Sequence, residues 1–210
     1  MRVTEIFFSI QGEGTRAGRP CVFVRFTGCD LRCGYCDTAY AFHGGKELAR
    51  EEILAEVARH PCRLVLLTGG EPLLQRELPE LASELLARGY EVTVETHGQR
   101  STAALPPEVV RIVDVKTPGS GEVTTDFAYL DELRPHDEVK FVICSEDDWR
   151  FSLDVIRRHR LAGRVTLLVS PVHGAVDPRE LARWLLESGV EARLNLQLHK
   201  IVWGPEARGV

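Results

Sequence analysis

The chain reads as an α/β protein, an incomplete (βα)6-type parallel barrel with an added N-terminal strand and a C-terminal extension, all within one domain of residues 1–210. Two observations predict this. From residue 21 to about 170, short β-rich apolar runs alternate with stretches of helical periodicity, the rhythm of βα units around a parallel sheet. The polar clusters Cys29–Cys36, Thr68–Glu71, Glu95–Thr96, Asp114–Lys116 and Ser170–His173 each follow a separate apolar run. In parallel α/β folds such strand ends converge on one face, where ligands bind. Six units are too few for a closed eight-unit barrel, so a laterally open one is expected.

In order, Val3–Ile10 is β-rich and ends at Gln11-Gly12-Glu13-Gly14, where two glycines permit a tight turn or close approach to a ligand. Cys21–Phe26 reads as a buried strand, with Arg25 either an edge residue with its head in water or an inward anion clamp. Glu51–His60 has helical spacing at Ile53, Leu54, Val57 and Ala58. Arg63–Leu67 is a short strand running into Thr68-Gly69-Gly70-Glu71-Pro72, and 76–88 is a helix stopped by Gly89. Glu91–Glu95 and Val110–Val115 are strands. Further helices are expected at 127–133, 149–160 and 178–188, and further strands at 138–143, 165–170 and 192–198.

The length of 210 residues suits one domain with a sizeable core, and 44% hydrophobic with 27% charged residues is ordinary globular usage. The net charge of −5 gives no basic footprint for nucleic acid. Neither a secretory signal pattern nor a membrane-length apolar run is present, so a cytoplasmic protein is expected. In that compartment a dense cysteine cluster points to metal or catalysis before disulfides.

The densest chemistry is Cys29-Asp30-Leu31-Arg32-Cys33-Gly34-Tyr35-Cys36. Three thiolates on one short loop can hold three corners of a cubane iron–sulfur cluster and leave one iron open. With six cysteines in the chain, this spacing has a chance of about 0.5% of arising at random. Zinc stays open as an alternative at this point. Cys21, Cys62 and Cys144 sit in or beside apolar runs and read as packed thiols. Of the histidines, His43, His60, His97, His136, His159 and His173 show no metal-like spacing among themselves, and most of them read as surface or capping residues. Glu71 reads as a residue that fixes its own loop, Trp149, Trp184 and Trp203 as core or interface residues, and Arg157–Arg160 as a solvated helix end.

Cys-x3-Cys-x2-Cys after a first strand, with Tyr35 before the third cysteine, and Gly69-Gly70-Glu71-Pro72 after the second, resemble the radical S-adenosylmethionine enzymes. Phe8–Gly14, Cys36-Asp37-Thr38, Glu95-Thr96-His97-Gly98 and Gln197-Leu198-His199-Lys200 are similar to the 7-carboxy-7-deazaguanine synthase family within them. The resemblance implies a single radical SAM domain with a [4Fe–4S] cluster on Cys29, Cys33 and Cys36, S-adenosylmethionine (SAM) on its open iron, and Mg2+ on Thr38. It places Tyr35, Cys36, Asp37, Gly70, Lys116, Thr117, Pro118, Ser170, Pro171, Val172 and His173 along the SAM molecule. Ile10, Gln11, Gly12, Arg25 and Thr68 would hold a pterin substrate, with Arg25 on its carboxylate and Glu95 and His199 at its edge. The chemistry implied is reductive cleavage of SAM to a 5′-deoxyadenosyl radical and hydrogen abstraction from 6-carboxy-5,6,7,8-tetrahydropterin. Ring contraction and loss of ammonia then give 7-carboxy-7-deazaguanine, on the way to queuosine. The partners implied are an electron donor such as a flavodoxin or ferredoxin and a second copy in a homodimer, with no nucleic acid and no membrane.

The chain departs from the family pattern at Lys116-Thr117-Pro118, where Ser-Pro-Lys is usual. It also continues past Gln-x-His-Lys, through Trp203-Gly204-Pro205 to Val210. Two other functions compete. A glycyl-radical-enzyme activase shares the cysteine spacing, but Gln11–Gly14, Arg25 and Thr38 suit a small carboxylated ligand. A zinc-stabilised binding module lacks a fourth ligand and has no use for the glycine-rich loop.

Overall fold

The structure is a computed structural model that describes residues 1–210. Nine strands form one sheet: β1 (Arg2–Ile10), β2 (Pro20–Phe26), β3 (Lys46–Glu47), β4 (Leu64–Gly69), β5 (Glu91–Thr96), β6 (Val110–Val115), β7 (Glu138–Ile143), β8 (Thr166–Pro171) and β9 (Arg193–Leu194). Their order is β3-β1-β2-β4-β5-β6-β7-β8-β9. β1 pairs antiparallel with β2 and β3, and every pair from β2·β4 to β8·β9 is parallel. The sheet is the open partial barrel expected, with β1 as the added N-terminal strand.

The period of two along each strand sorts side chains between the two faces. Val22, Val24, Phe26, Val65, Leu67, Val92 and Val94 face outward and pack under α1 (Arg50–Val57) and α2 (Leu78–Ala87). Val113, Val115, Val139, Phe141, Ile143, Leu167 and Val169 do the same under α3 (Glu146–Arg158) and α4 (Pro178–Ser188). Each such side chain contributes roughly 1.5–3 kcal/mol by leaving water. The alternate residues Cys21, Phe23, Leu64, Leu66, Ile112 and Leu168 face inward and fill the base of the lumen. The next inward position along each strand is polar: Arg25, Thr68, Glu95, Asp114, Lys140 and Ser170.

Several expected elements differ in extent. The helix expected at 127–133 is a 3-10 turn, Ala128–Glu132, whose C-cap Leu133 is already extended two residues before Pro135. The helix expected from 149 starts three residues earlier, at Glu146. Ser145 caps it by accepting from the Asp148 N–H, and Glu146, Asp147 and Asp148 fill its positively polarised first turn. The strand expected at 192–198 pairs only at Arg193–Leu194, and α5 (Leu198–Val202) begins where Leu198 N–H donates to Gly12 O at 3.0 Å. No helix joins β5 to β6. Under that connection the buried Arg111 donates to Thr102 Oγ1 at 2.8 Å and to Glu132 O at 2.7 Å, and it pairs with Asp137.

The open side is spanned by the loop Gln11–Gly14 instead of a strand. Gly14 N–H donates to Asn195 Oδ1 at 2.8 Å and Gln197 Nε2 donates to Glu13 Oε1 at 2.8 Å. Gly12 is required here by close approach, since a Cβ would overlap His199 Nδ1. Gly14 has φ +74°, and a Cβ there would lie 2.7 Å from Glu138 Oε2. Below it, Arg16 bridges Glu91 at 2.6 Å and Glu138 at 2.9 Å, closing the floor.

Candidate active site

A cavity of about 290 Å³ opens at the C-terminal ends of the parallel strands. Arg25, Thr68, Glu95, Asp114 and Lys140 line it from the strands, and Cys29, Cys33 and Cys36 from the loop after β2. Ile10, Gln11, Gly12 and Glu13 enter from the seam, and Gln197, His199 and Lys200 from the start of α5. Tyr35, Asp37, Thr38, Gly70, Lys116, Val172 and His173 complete the set of expected residues that reach it. Thr117, Pro118, Ser170 and Pro171 do not line it. Thr117 Oγ1 donates to Val142 O at 2.9 Å, Ser170 Oγ accepts from Asn195 Nδ2 at 2.7 Å, Pro171 is buried at the end of β8, and Pro118 faces solvent.

The three thiols are free and half-buried, and no other cysteine lines the cavity. Leu31 N–H donates to Cys29 Sγ at 3.4 Å and Gly34 N–H to Ser120 O at 2.8 Å, so backbone bonds hold the loop in shape. Burial pushes the Cys29 and Cys33 thiols up. The Gly70 loop lies directly against this one, and a Cβ on Gly70 would overlap Gly28 O and sit 2.8 Å from Cys29 Cβ. Three thiolates under a backbone with no side chain to obstruct them fit a cubane cluster with one open iron. Glu71 is fully buried. It accepts from Leu73 N–H at 3.0 Å, Thr96 Oγ1 at 2.8 Å and His97 N–H at 2.9 Å, which is the loop-fixing role expected of it. His97 is an exception to the surface or capping role expected of most of the histidines. It is 5% exposed, and its Nε2 lies 2.9 Å from Asp30 Oδ1, tying the end of β5 to the cysteine loop.

Two polar atoms facing this cavity are buried without a partner, Asp114 Oδ1 and the Tyr35 hydroxyl. They offer an acceptor and a donor to a bound ligand. The other Asp114 oxygen takes Lys116 Nζ at 2.8 Å. Burial works to raise the Asp114 carboxyl, but the Lys116 and Lys140 ammonium groups outweigh it and hold it below the usual range. Burial would likewise lower Lys140, yet Glu13, Glu95 and Asp114 around it push it well up.

At the rim, Arg25 Nε donates to Glu5 Oε1 at 2.7 Å, and the Tyr40 hydroxyl donates to the same oxygen at 2.8 Å. Arg25 lines the cavity, and its guanidinium already has one carboxylate partner. Thr38 Oγ1 donates to Asp37 Oδ1 at 2.9 Å, and Lys200 Nζ lies 2.9 Å from Asp37 Oδ2. Burial favours the neutral Asp37 carboxyl, but the Lys200 charge and these bonds outweigh it and bring it down to about 2. Because the Thr38 proton is directed at Asp37, the oxygen lone pairs are left for a hard cation. Lys140, Glu13 and Asn195 were not singled out in the sequence. The signal available was the inward parity of Lys140 with Glu138 and Val142 on β7.

The Radical SAM superfamily model matches residues 23–185. The chain is 46% identical over 226 residues to a 7-carboxy-7-deazaguanine synthase of Koribacter versatilis, with all of both chains covered. It is 40% identical to that of Chlorobaculum tepidum, covering 100% of this chain and 97% of the relative. Among solved structures it is similar to QueE from Escherichia coli, at TM-score 0.76 and 23% identity with 93% of each chain covered. It also resembles Streptococcus suis SuiB bound to S-adenosylmethionine, at TM-score 0.55 and 13% identity, covering 80% of this chain and 44% of that one. These two likenesses speak for the fold.

Proposed function

This chain belongs to the 7-carboxy-7-deazaguanine synthases of the radical SAM superfamily, and from that premise we propose how its own residues serve the reaction. The enzyme converts 6-carboxy-5,6,7,8-tetrahydropterin to 7-carboxy-7-deazaguanine with loss of ammonia, within 7-deazapurine (queuosine) biosynthesis. Family membership implies a [4Fe–4S] cluster and SAM, which together supply the hydrogen-abstracting radical chemistry when bound. Neither the activase nor the zinc module agrees with the family to which the chain belongs.

Cys29, Cys33 and Cys36 would hold the cluster. Gly70 offers backbone polar groups to the methionyl end of SAM. Asp114, with its unpartnered oxygen, would accept a hydroxyl of the nucleoside, with Lys116 keeping that carboxylate charged, and Tyr35 would lie beside it. The pterin lies between the seam and the strand ends. Ile10–Gly12 and Thr68 border it, Arg25 meets its carboxylate, and Glu95 and His199 meet its ring edge. Thr38 would give its oxygen to Mg2+, a cation that tolerates few protein ligands and would leave room for the substrate carboxylate. Residues 1–210 act as one domain, because the strands that present these groups belong to one sheet. A flavodoxin or ferredoxin delivers the electron in the cytoplasm, in keeping with six free thiols. The exposed Leu186, Ile201, Val202 and Trp203 support a homodimer.

The observation that carries this reading is the convergence of the three thiols, the free Asp114 oxygen and Arg25 on one cavity. The test is to incubate the anaerobically reconstituted protein with SAM, a chemical reductant, Mg2+ and the carboxypterin, and to follow the deazaguanine by mass. Product with the expected loss of ammonia supports the reading. Cleavage of SAM with the pterin left intact overturns the substrate assignment, and a colourless protein carrying one zinc per chain overturns the chemistry.

A further inference from the structure

The cavity is lined by five Lys and Arg side chains, Arg25, Lys116, Lys140, Lys200 and Arg208. Four have a carboxylate partner: Arg25 has Glu5, Lys116 has Asp114, Lys140 has Glu13 and Glu95, and Lys200 has Asp37. Arg208 has none. It comes from the segment Pro205–Val210, which runs back from α5 and lines the mouth along its whole length. Glu206 on the same segment makes no ion pair with it. What fixes Arg208 is an aromatic face. Its Cζ lies 4.4 Å from the centroid of the Tyr40 ring, whose hydroxyl is pinned on Glu5. Arg25 Cζ lies 5.9 Å from the same centroid. A guanidinium that interacts with a ring through its face keeps its in-plane N–H groups free to meet a carboxylate two at a time. Glu5 Oε1 is already occupied by Arg25 Nε and the Tyr40 hydroxyl, and Arg208 makes no ion pair with Glu5, so its N–H groups are open to an incoming anion.

We propose that Arg208 is a specificity-determining residue, a second guanidinium for the substrate's carboxylate that selects carboxylated over uncarboxylated pterins. The proposal rests on the substrate class assigned above. The segment that carries Arg208 also covers the mouth, so binding of the carboxylate and exclusion of water from the site are coupled. Elsewhere the segment is lightly held, with one backbone hydrogen bond, Ala207 N–H to Gly204 O at 3.3 Å.

The experiment compares wild type, Arg208→Ala, Arg208→Lys and a chain lacking 205–210. For each, equilibrium binding is measured for 6-carboxytetrahydropterin, for tetrahydropterin without the carboxylate and for SAM, together with kcat and KM and a thermal melt. Arg208→Ala is expected to weaken the carboxylated ligand about tenfold or more and to leave the uncarboxylated one within about twofold, with SAM unmoved. Arg208→Lys should recover part of the loss, and the truncation should match Arg208→Ala in carboxylate selectivity. Equal weakening of both pterins makes the segment a steric cover and overturns the proposal, as does wild-type affinity in Arg208→Ala. If wild type binds and converts the carboxypterin while the variants show either of those results, only this inference falls. Wild type that binds neither pterin overturns the substrate assignment along with it.

Discussion

Lys140 Nζ donates to Glu13 Oε2 at 3.0 Å, across 127 positions of sequence. The bond joins the middle of the parallel sheet to the loop that spans its open side. Lys140 also pairs with Glu95, so one buried cation serves both the closure of the barrel and a residue of the site. Replacing it with Met leaves Glu13 and Glu95 without their cation, and removal of one partner of a buried pair costs about 3–5 kcal/mol. Glu13 and Asp114 are held below the usual carboxylate range; burial opposes this, but Lys140 contributes to overcoming it in both cases. A depressed carboxyl stabilises the fold above its unfolded value and loses that contribution as pH falls through the folded one. The gap in stability between wild type and Lys140→Met should therefore be widest near neutral pH and narrow on acidification below about pH 4. Urea unfolding at a series of pH values checks this, and a gap that is constant with pH refutes it.

Replacing any one of Cys29, Cys33 or Cys36 with Ala should abolish loading of the cluster, since each thiolate holds one iron. Cys62→Ala and Cys144→Ala should load normally, because neither residue lines the cavity. Iron and sulfide per chain after anaerobic reconstitution give the answer. Full iron content in Cys33→Ala would remove the loop from the cluster.

Arg25→Ala should weaken the carboxypterin while SAM binding persists. Loss of one partner of a desolvated charge pair costs about 2–5 kcal/mol, which puts the rise in KM at about thirtyfold or above. The structure adds a condition. Arg25 is positioned by Glu5, so Glu5→Gln should give a smaller rise in KM in the same direction. A kinetic titration of substrate at saturating SAM decides between a clamp and a purely structural arginine.

Thr38→Val keeps the shape and deletes the oxygen that is bonded to Asp37. Product formation at limiting Mg2+ should fall and should partly recover at high Mg2+, because in the proposed site substrate oxygens would supply much of the shell. Cluster content should not change. Equal indifference to Mg2+ in both proteins would take Thr38 out of the site.

Much of this protein was legible along the chain because the relevant forces act over a few residues. The thiols at 29, 33 and 36 share one loop, so covalent spacing alone brings them together. The alternation on β2, β4 and β6 points Arg25, Thr68 and Asp114 to the same face as Phe23, Leu66 and Ile112, as period-two geometry requires. The limits of α3 were misjudged for want of its cap, although Ser145 and three acids stand in the sequence. Tertiary structure alone decided which inward residues meet. Lys140 finds Glu13, and Gly12 finds His199, because the register of six parallel pairings and the turn of the Gln11–Gly14 loop bring the two edges together. Thr117 lies just after β6 and Ser170 near the end of β8, yet their hydroxyls turn to Val142 O and Asn195 Nδ2, because a buried hydroxyl takes the nearest partner its backbone can reach. Arg208 lies over Tyr40 for a reason no local spacing holds: the chain after α5 folds back across 168 positions onto a ring that Glu5 has already pinned.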